Sequence, residues 1–278
     1  MPANDLTIHF GGNSLRFNGD HAGITETLGA HFKYCSTAEG TVIANYNITA
    51  VSDSAFAVSL NGGDLFSNLS REQVLLHLMQ DAIPRLNGAS NTCLIFHAAA
   101  LALHNRGLIL CGQSGSGKSS LTSWLTASGL DYLTDEVIAV PVEDGPVSGL
   151  TRSIVIKNGS AFIWQYWLTN PDPERFFQFQ NGTAWIVPTL FNPNGIRQNI
   201  TPRMLVFPQY NPNTGLHTEP LKQADTLFRL LQNLVNARNF ADGGLSTASR
   251  LARQVNAWQL TYSNIESATQ WIQQTLAG

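Results

Sequence analysis

Apolar runs at Leu6 to Phe10, Thr41 to Tyr46 and Ala55 to Leu60, separated by Gly, Asn and Asp turns such as Asn61-Gly62-Gly63-Asp64, predict a small antiparallel β unit at the start of the chain. The period then changes. Ser70-Arg71-Glu72-Gln73 reads as a capping box with Leu69 and Val74 placed for a hydrophobic staple, and Val74, Leu75, Leu78, Met79 and Ala82 form one apolar face. That pattern predicts a helix from Arg71 to about Ile83, closed by Pro84. Asn87-Gly88-Ala89-Ser90-Asn91 marks a boundary between an N-terminal α+β unit, residues 1–90, and a second domain, residues 91–278.

In the second domain Thr92 to Leu103 reads as one strand entering the core, and a further apolar run ends at Cys111. Ser119 to Ser128 reads as a helix with Leu121, Trp124 and Leu125 on one side, and Leu130 to Thr134 as the strand after it. Strands and turns dominate from there to Phe207, with a short helix near Ser160 to Leu168. Gln223 to Arg238 and Leu245 to Ala257 predict two helices. A strand at Trp258 to Tyr262 leads into a last helix, capped by Ser263 with Glu266 three residues on.

The chemistry sits between the second apolar run and the helix that follows it. LILCGQSGSGKSS, residues 108–120, sets Gly112, Gly117, Lys118 and Ser119 in the order G-x-x-x-x-G-K-S, the signature of a phosphate-binding loop. Glycines permit the curvature that lets consecutive backbone N–H groups converge on phosphate oxygens. The candidate nucleotide contacts are therefore Gly112, Ser114, Gly115, Ser116, Gly117, Lys118, Ser119 and Ser120. Lys118 would carry its charge to the β and γ phosphates and Ser119 would ligate magnesium, with the helix dipole facing the anion.

Asp135-Glu136 follows Lys118 by 17 residues, after one helix and one short strand. Leu130 to Thr134 would deliver both carboxylates to the carboxyl edge of the sheet, where open α/β sheets place their ligands. Acids there can hold magnesium and can take a proton from an attacking hydroxyl, so Asp135 and Glu136 are candidate catalytic and metal residues. His97, in LIFHAAA, lies 21 residues before Lys118. A single His in an apolar run is by default a core residue; its neighbourhood makes it a catalytic candidate. Arg152 and Lys157 come after the acidic strand and could meet the transferred phosphoryl group or an anionic acceptor.

Composition narrows the partners. With 16 basic residues, a formal net charge of -3 and 43% hydrophobic residues, the chain has material for a packed core and no cationic excess for a nucleic acid backbone. No stretch reaches the roughly 18 uninterrupted apolar residues that membrane spanning needs, and the start carries no basic segment followed by a long apolar run. The expectation is a cytoplasmic protein without nucleic acid or membrane partners. Cys35, Cys93 and Cys111 are too few and scattered for a disulfide framework or a Cys-rich zinc site and read as buried thiols.

Residues 96–140, FHAAALALHNRGLILCGQSGSGKSSLTSWLTASGLDYLTDEVIAV, resemble the core of the HPr kinase/phosphorylase family, whose pattern is a His, a hairpin, a glycine-rich loop, a helix and an acidic pair. That family shares its nucleotide-binding core with ATP-dependent phosphoenolpyruvate carboxykinases. A more distant set of HPr-kinase-related proteins resembles the chain over about residues 92–278, through Ile154-Val155-Ile156-Lys157-Asn158, Val206-Phe207-Pro208-Gln209-Tyr210 and Leu260-Thr261-Tyr262. The resemblance implies an α/β fold with a P-loop kinase core of the HPr kinase / phosphoenolpyruvate carboxykinase type, behind a small N-terminal α+β unit. It implies ATP and Mg2+ as cofactors, Asp135 as the base for the acceptor hydroxyl with His97 close by, and Glu136 next to the metal. Family members usually carry two Asp where Asp135-Glu136 stand here. No counterpart of the arginine-rich loop used for the reverse reaction is present, so phosphorylase activity is not expected. HPr kinases are hexamers, which makes a homo-oligomer an expectation.

The leading expectation is an ATP- and Mg-dependent kinase acting on a hydroxyl, with a serine of a protein or peptide as acceptor. Its competitors are a small-molecule kinase on the same core and a non-catalytic ATP-binding switch; the shortness of the chain counts against a carboxykinase.

Overall fold

A computed structural model describes residues 5–19, 21–35, 40–113 and 115–278. Side chains alternate along β1 (Asp5–Phe10), β2 (Asn13–Gly19) and, after α1 (Ala22–His31), β3 (Thr41–Ala50), burying Ile8, Phe17, Tyr46 and Ile48. With β4 (Phe56–Leu60) and β5 (Gly63–Leu69) they form a sheet in the order β1-β2-β3-β4-β5. The expectation of a purely antiparallel unit fails at β2 and β3, which pair in parallel. A parallel pair needs a crossover, and α1 supplies it. The α1 sequence, AGITETLGAH, hides a helix from pattern reading because two glycines flank a sparse apolar spacing.

Helix α2 (Arg71–Ala89) starts on the expected capping box: the Ser70 N–H donates to Gln73 Oε1 at 2.9 Å and the Gln73 N–H to Ser70 Oγ at 3.4 Å. It runs through Pro84 instead of stopping there. Proline's fixed φ is helical, and burying Ile83 and Leu86, at about 1.5–3 kcal/mol for each large apolar side chain, offsets the missing backbone bond.

The single strand expected over Thr92 to Leu103 is two, β6 (Cys93–Phe96) and β7 (Ala98–Leu103), in different sheets. They part at His97, whose N–H donates to the Asn233 carbonyl at 2.8 Å. β8 (Arg106–Cys111) lies antiparallel to β7; α3 (Lys118–Ala127) follows, and β9 (Asp131–Thr134) returns antiparallel to β7 on its other side. Two reversals leave β8 and β9 pointing the same way, so their carboxyl ends share one edge.

Next come β10 (Ile138–Pro141), β11 (Val147–Gly149), β12 (Ile154–Ile156), α4 (Phe162–Trp167), β13 (Phe176–Gln178), β14 (Ala184–Ile186) and β15 (Asn199–Ile200). They build a four-stranded sheet, β15-β11-β10-β6, and a three-stranded one, β12-β14-β13. β16 (Pro202–Tyr210), β17 (His217–Pro220) and β18 (Asn256–Tyr262) complete the six-stranded sheet β17-β18-β16-β8-β7-β9, with β16 parallel to both β8 and β18.

Helix α5 (Gln223–Leu231) stops short of Arg238 because the following backbone pairs with β6: the Val235 N–H donates to the Ile95 carbonyl, and the Ile95 N–H to Asn236 Oδ1, both at 2.8 Å. α6 (Leu245–Gln254) ends before Ala257, which lies in β18. The last helix, α7 (Ile265–Ala277), is capped by Asn264 and not by Ser263; the Asn264 side chain accepts the Ser267 N–H at 2.8 Å. One residue past the end of β18 is needed to turn the chain, which moves the cap along by one.

Leu121 and Leu125 of α3 and Ile272 of α7 pack with Leu110 and Leu260 of the six-stranded sheet. A second cluster joins Ile109 and Leu205 of that sheet to Phe96 and Ile138 of the four-stranded sheet, and to Leu230 and Leu251 of α5 and α6. The N-terminal sheet shares its core with the rest of the chain, since Ile48, Leu75 and Leu78 belong to the same cluster as Ile95, Ala139 and Trp185. No helix among the described residues is long and apolar enough to cross a membrane.

Candidate active site

The glycine-rich segment joins the carboxyl end of β8 to α3, the strand–loop–helix context that a phosphate-binding loop requires. Gly115 and Gly117 hold φ of +85° and +92°, a region that side chains with a Cβ avoid. At Gly117 the environment forbids a Cβ as well, because it would lie 2.6 Å from the Tyr262 hydroxyl. The loop is tied to the ends of neighbouring strands: the Tyr210 N–H donates to the Ser116 carbonyl at 3.1 Å, and Tyr262 Oη lies 3.5 Å from the Gly117 carbonyl. Ser114 falls outside the described residues.

Lys118 opens α3 and is 6% exposed. Its ammonium donates to the Gly112 and Gln113 carbonyls. Burial lowers its pKa from the ordinary lysine value, and the charges of Glu136 and Asp135, which work the other way, only partly offset it. Ser116 Oγ is buried with no partner among the described residues, and α3 has no side-chain cap on its first N–H groups. A buried cation, an orphaned hydroxyl and uncapped amides fit one ligand type, an anion with several acceptor oxygens.

Across the cleft, Asp135 is 3% exposed at the end of β9. Its Oδ1 lies 3.1 Å from the Tyr132 hydroxyl and 3.7 Å from the Arg152 guanidinium, and its Oδ2 accepts the Val155 N–H at 3.1 Å. Burial raises its pKa, and the attraction of Arg152 only partly compensates. Glu136, with a side chain 30% exposed, pairs with the same guanidinium. Burial pushes the Glu136 carboxyl up, but Arg152, His97 and Lys118 together outweigh it and hold the group below the ordinary glutamate value. The two neighbouring acids therefore differ: Asp135 is the stronger base and Glu136 stays ionised.

His97 reaches the cleft from the break between β6 and β7, its Nδ1 3.9 Å from Glu136 Oε1. Burial and the Lys118 charge depress its pKa, so the ring faces Glu136 as a neutral imidazole at pH 7. Arg152 is no exposed strand-edge cation. It is 7% exposed, bound to both acids, and its Nε has no partner among the described residues. Lys157 stands exposed at the mouth.

The cleft enclosed by these groups has a volume of about 820 Å3. His97, Lys118, Ser119, Asp135, Glu136 and Arg152 all line it, as do Gly115, Gly117, Ser120 and Lys157. Gly112 and Ser116 do not line it; a Cβ on Gly112 would lie 3.1 Å from Ser116 Oγ, so the two pack against each other within the loop. Among the described residues no three His, Cys, Asp or Glu side chains gather into a metal site of their own. Magnesium is commonly held by one or two carboxylates with phosphate oxygens and waters completing its shell, and Ser119 with the half-buried Glu136 fits that division. Cys111, at the end of β8, is buried and its thiol is pushed up to about 12 by burial, which makes it an inert strand residue.

Two groups escape a reading of the sequence. Tyr132 is buried and joins Asp135 to the Arg152 carbonyl, both at 3.1 Å. The Val155 N–H is a backbone donor that no residue pattern announces. Tyr210 and Tyr262 do stand in segments notable in the sequence, but their seat behind the loop comes from the parallel pairing of β16 and β18.

No family model matches the chain, and no curated protein sequence is similar to it. Among solved structures it is similar to the Hpr(Ser) kinase/phosphatase from Coxiella burnetii, at 13% identity over 65% of this chain and 89% of that one, with a TM-score of 0.33. That is a distant structural relationship and supports no inference about chemistry, which rests on the cleft itself.

Proposed function

We propose that the chain is an ATP- and Mg2+-dependent kinase with a P-loop core of the HPr kinase / phosphoenolpyruvate carboxykinase type, transferring the γ-phosphoryl group to a hydroxyl, with a serine of a protein or peptide as the acceptor class. The observation that carries this reading is the meeting, in one cleft, of Lys118 on its glycine loop with a buried Asp135 of raised pKa. The loop amides and Lys118 would hold the phosphates and draw off the charge that spreads over them during transfer. Ser119 and Glu136 would hold a magnesium ion, which would supply positive charge to the phosphates. Asp135 would accept the proton of the attacking hydroxyl, and Arg152 would hold both acids in register across the cleft. His97, neutral beside Glu136, would orient the acceptor or pass a proton onward.

The test is transfer from radiolabelled γ-ATP with magnesium, comparing the unaltered chain with Asp135→Asn against seryl peptides and a panel of hydroxyl metabolites. Label on a peptide serine, lost in the variant, is the expected result. Label on a metabolite alone would replace the acceptor class, and ATP bound without transfer would replace catalysis by a nucleotide-dependent switch.

A further inference from the structure

A second cavity, of about 610 Å3, lies between α1, the start of α2 and the three-stranded sheet β12-β14-β13. The segment 152–153 divides it from the cleft: the Arg152 side chain serves the acids on one side, while the Ser153 N–H donates to the His31 carbonyl on the other at 2.7 Å. Phe176, Phe177 and Trp185 give the cavity an aromatic wall. Three cations line it, Lys33, Arg71 and Arg175, and none of them forms an ion pair among the described residues; Arg71 donates to the Gly23 carbonyl and the Thr27 hydroxyl and Arg175 to the Thr189 hydroxyl, neutral partners that leave both charges uncompensated. Against two acids on the same wall, the lining carries a net charge of +1 in a chain of net charge -3. Glu26 and Glu174, both exposed, are the only acids on its wall among the described residues.

His31 supplies an independent observation. It is 2% exposed, its ring centroid stands 3.9 Å from that of Trp185, and neither ring nitrogen has a partner among the described residues. A buried polar group left without a partner costs about 1–3 kcal/mol, and such groups in folded proteins call for a ligand or water. Burial and the charge of Arg152 hold the ring neutral, so it offers one donor and one acceptor.

We propose that this cavity binds a small organic anion, a carboxylate or phosphate group on a planar apolar body. The anionic group meets Arg71, Arg175 and Lys33, the body lies against Phe177 and Trp185, and His31 completes the hydrogen bonding. Arg71, already 5.4 Å over the Phe177 ring, joins the cationic and aromatic halves of the site.

Isothermal titration with benzoate and with phenyl phosphate tests this on the full chain carrying Lys118→Ala, which takes the only lysine out of the glycine loop and so weakens anion binding there. At least one probe binds at one equivalent, and which one tells carboxylate from phosphate. Adding Arg71→Gln and Arg175→Gln weakens binding by about tenfold or more, the scale of a lost charged hydrogen bond. Adding Glu174→Gln instead, on an exposed side chain whose loss threatens no internal contact, tightens it. Absence of binding to Lys118→Ala, or an affinity indifferent to Glu174→Gln and to the arginine substitutions, overturns the site. Should the arginine variants lose their circular dichroism signal, the Glu174→Gln comparison alone decides.

Discussion

At the scale of single residues, Asp135 and Glu136 show how one guanidinium serves two carboxylates that differ in exposure. Asp135, dry and hydrogen-bonded through both oxygens, is raised by burial; Glu136, wetter and closer to cations, is lowered. If Asp135 is the base, Asp135→Asn cuts turnover by about 10²–10⁴-fold while ATP affinity is retained, as equilibrium binding would show. The pH profile follows from the same groups. On the proposed assignment activity needs Asp135 deprotonated and Lys118 protonated, so kcat/KM should rise through the raised Asp135 pKa and fall through the lowered Lys118 pKa. The acid limb should therefore lie above the ordinary Asp value of about 3.9 and the alkaline limb below the ordinary Lys value of about 10.4. Limbs at those ordinary values would exclude both assignments. Lys118, Ser119, Asp135 and Glu136 are legible in the sequence because loop, helix and acids lie in one short stretch. Arg152 was legible only as a cation; its burial between two acids depends on how β9 and the segment before β12 come together.

At the scale of elements, the glycine loop gives a graded prediction. Gly115 and Gly117 share positive φ, but among the described residues nothing lies within 4 Å of a Cβ on Gly115, whereas one on Gly117 meets Tyr262. Gly115→Ala should carry only backbone strain, about 1–3 kcal/mol, and Gly117→Ala that strain plus the clash. Chemical denaturation should rank them in that order, and Tyr262→Ala should relieve Gly117→Ala without affecting Gly115→Ala. Equal losses would mean that the loop's seat against Tyr262 is immaterial. Ser70→Ala, at the start of α2, should cost about 1 kcal/mol and leave phosphoryl transfer unchanged. The start of α2 reads well from sequence since its capping box acts within a single turn, while α1 has no side-chain cap to announce it and the cap of α7 falls one residue later than expected. Ends read less well: α2 passes Pro84, and α5 yields to the pairing of residues 233–236 with β6, because burial and distant partners set them.

At the scale of the whole molecule, the shared cluster that runs from Ile48 through Leu75 to Trp185 couples the N-terminal sheet to the domain carrying the cleft. Ile48→Ala should cost about 2–5 kcal/mol and lower the melting of the entire chain in a single transition. A separate early transition of the N-terminal unit in calorimetry would show that this cluster does not bind the two together. What the sequence by itself determined is local: the glycine loop, the acids one helix and one strand beyond it, the capping box, and the apolar faces of α2 and α3. Each depends on residues within a turn or a strand of one another, where spacing alone decides which side chains can meet. The tertiary structure decided the parallel pairing of β2 with β3, the transfer of the chain between sheets at His97, the Tyr132–Asp135–Arg152 arrangement and the cationic cavity around His31. These rest on contacts between residues far apart in the chain, and which of them form is a matter of burying surface and satisfying buried polar groups across the whole fold, terms that no local pattern contains.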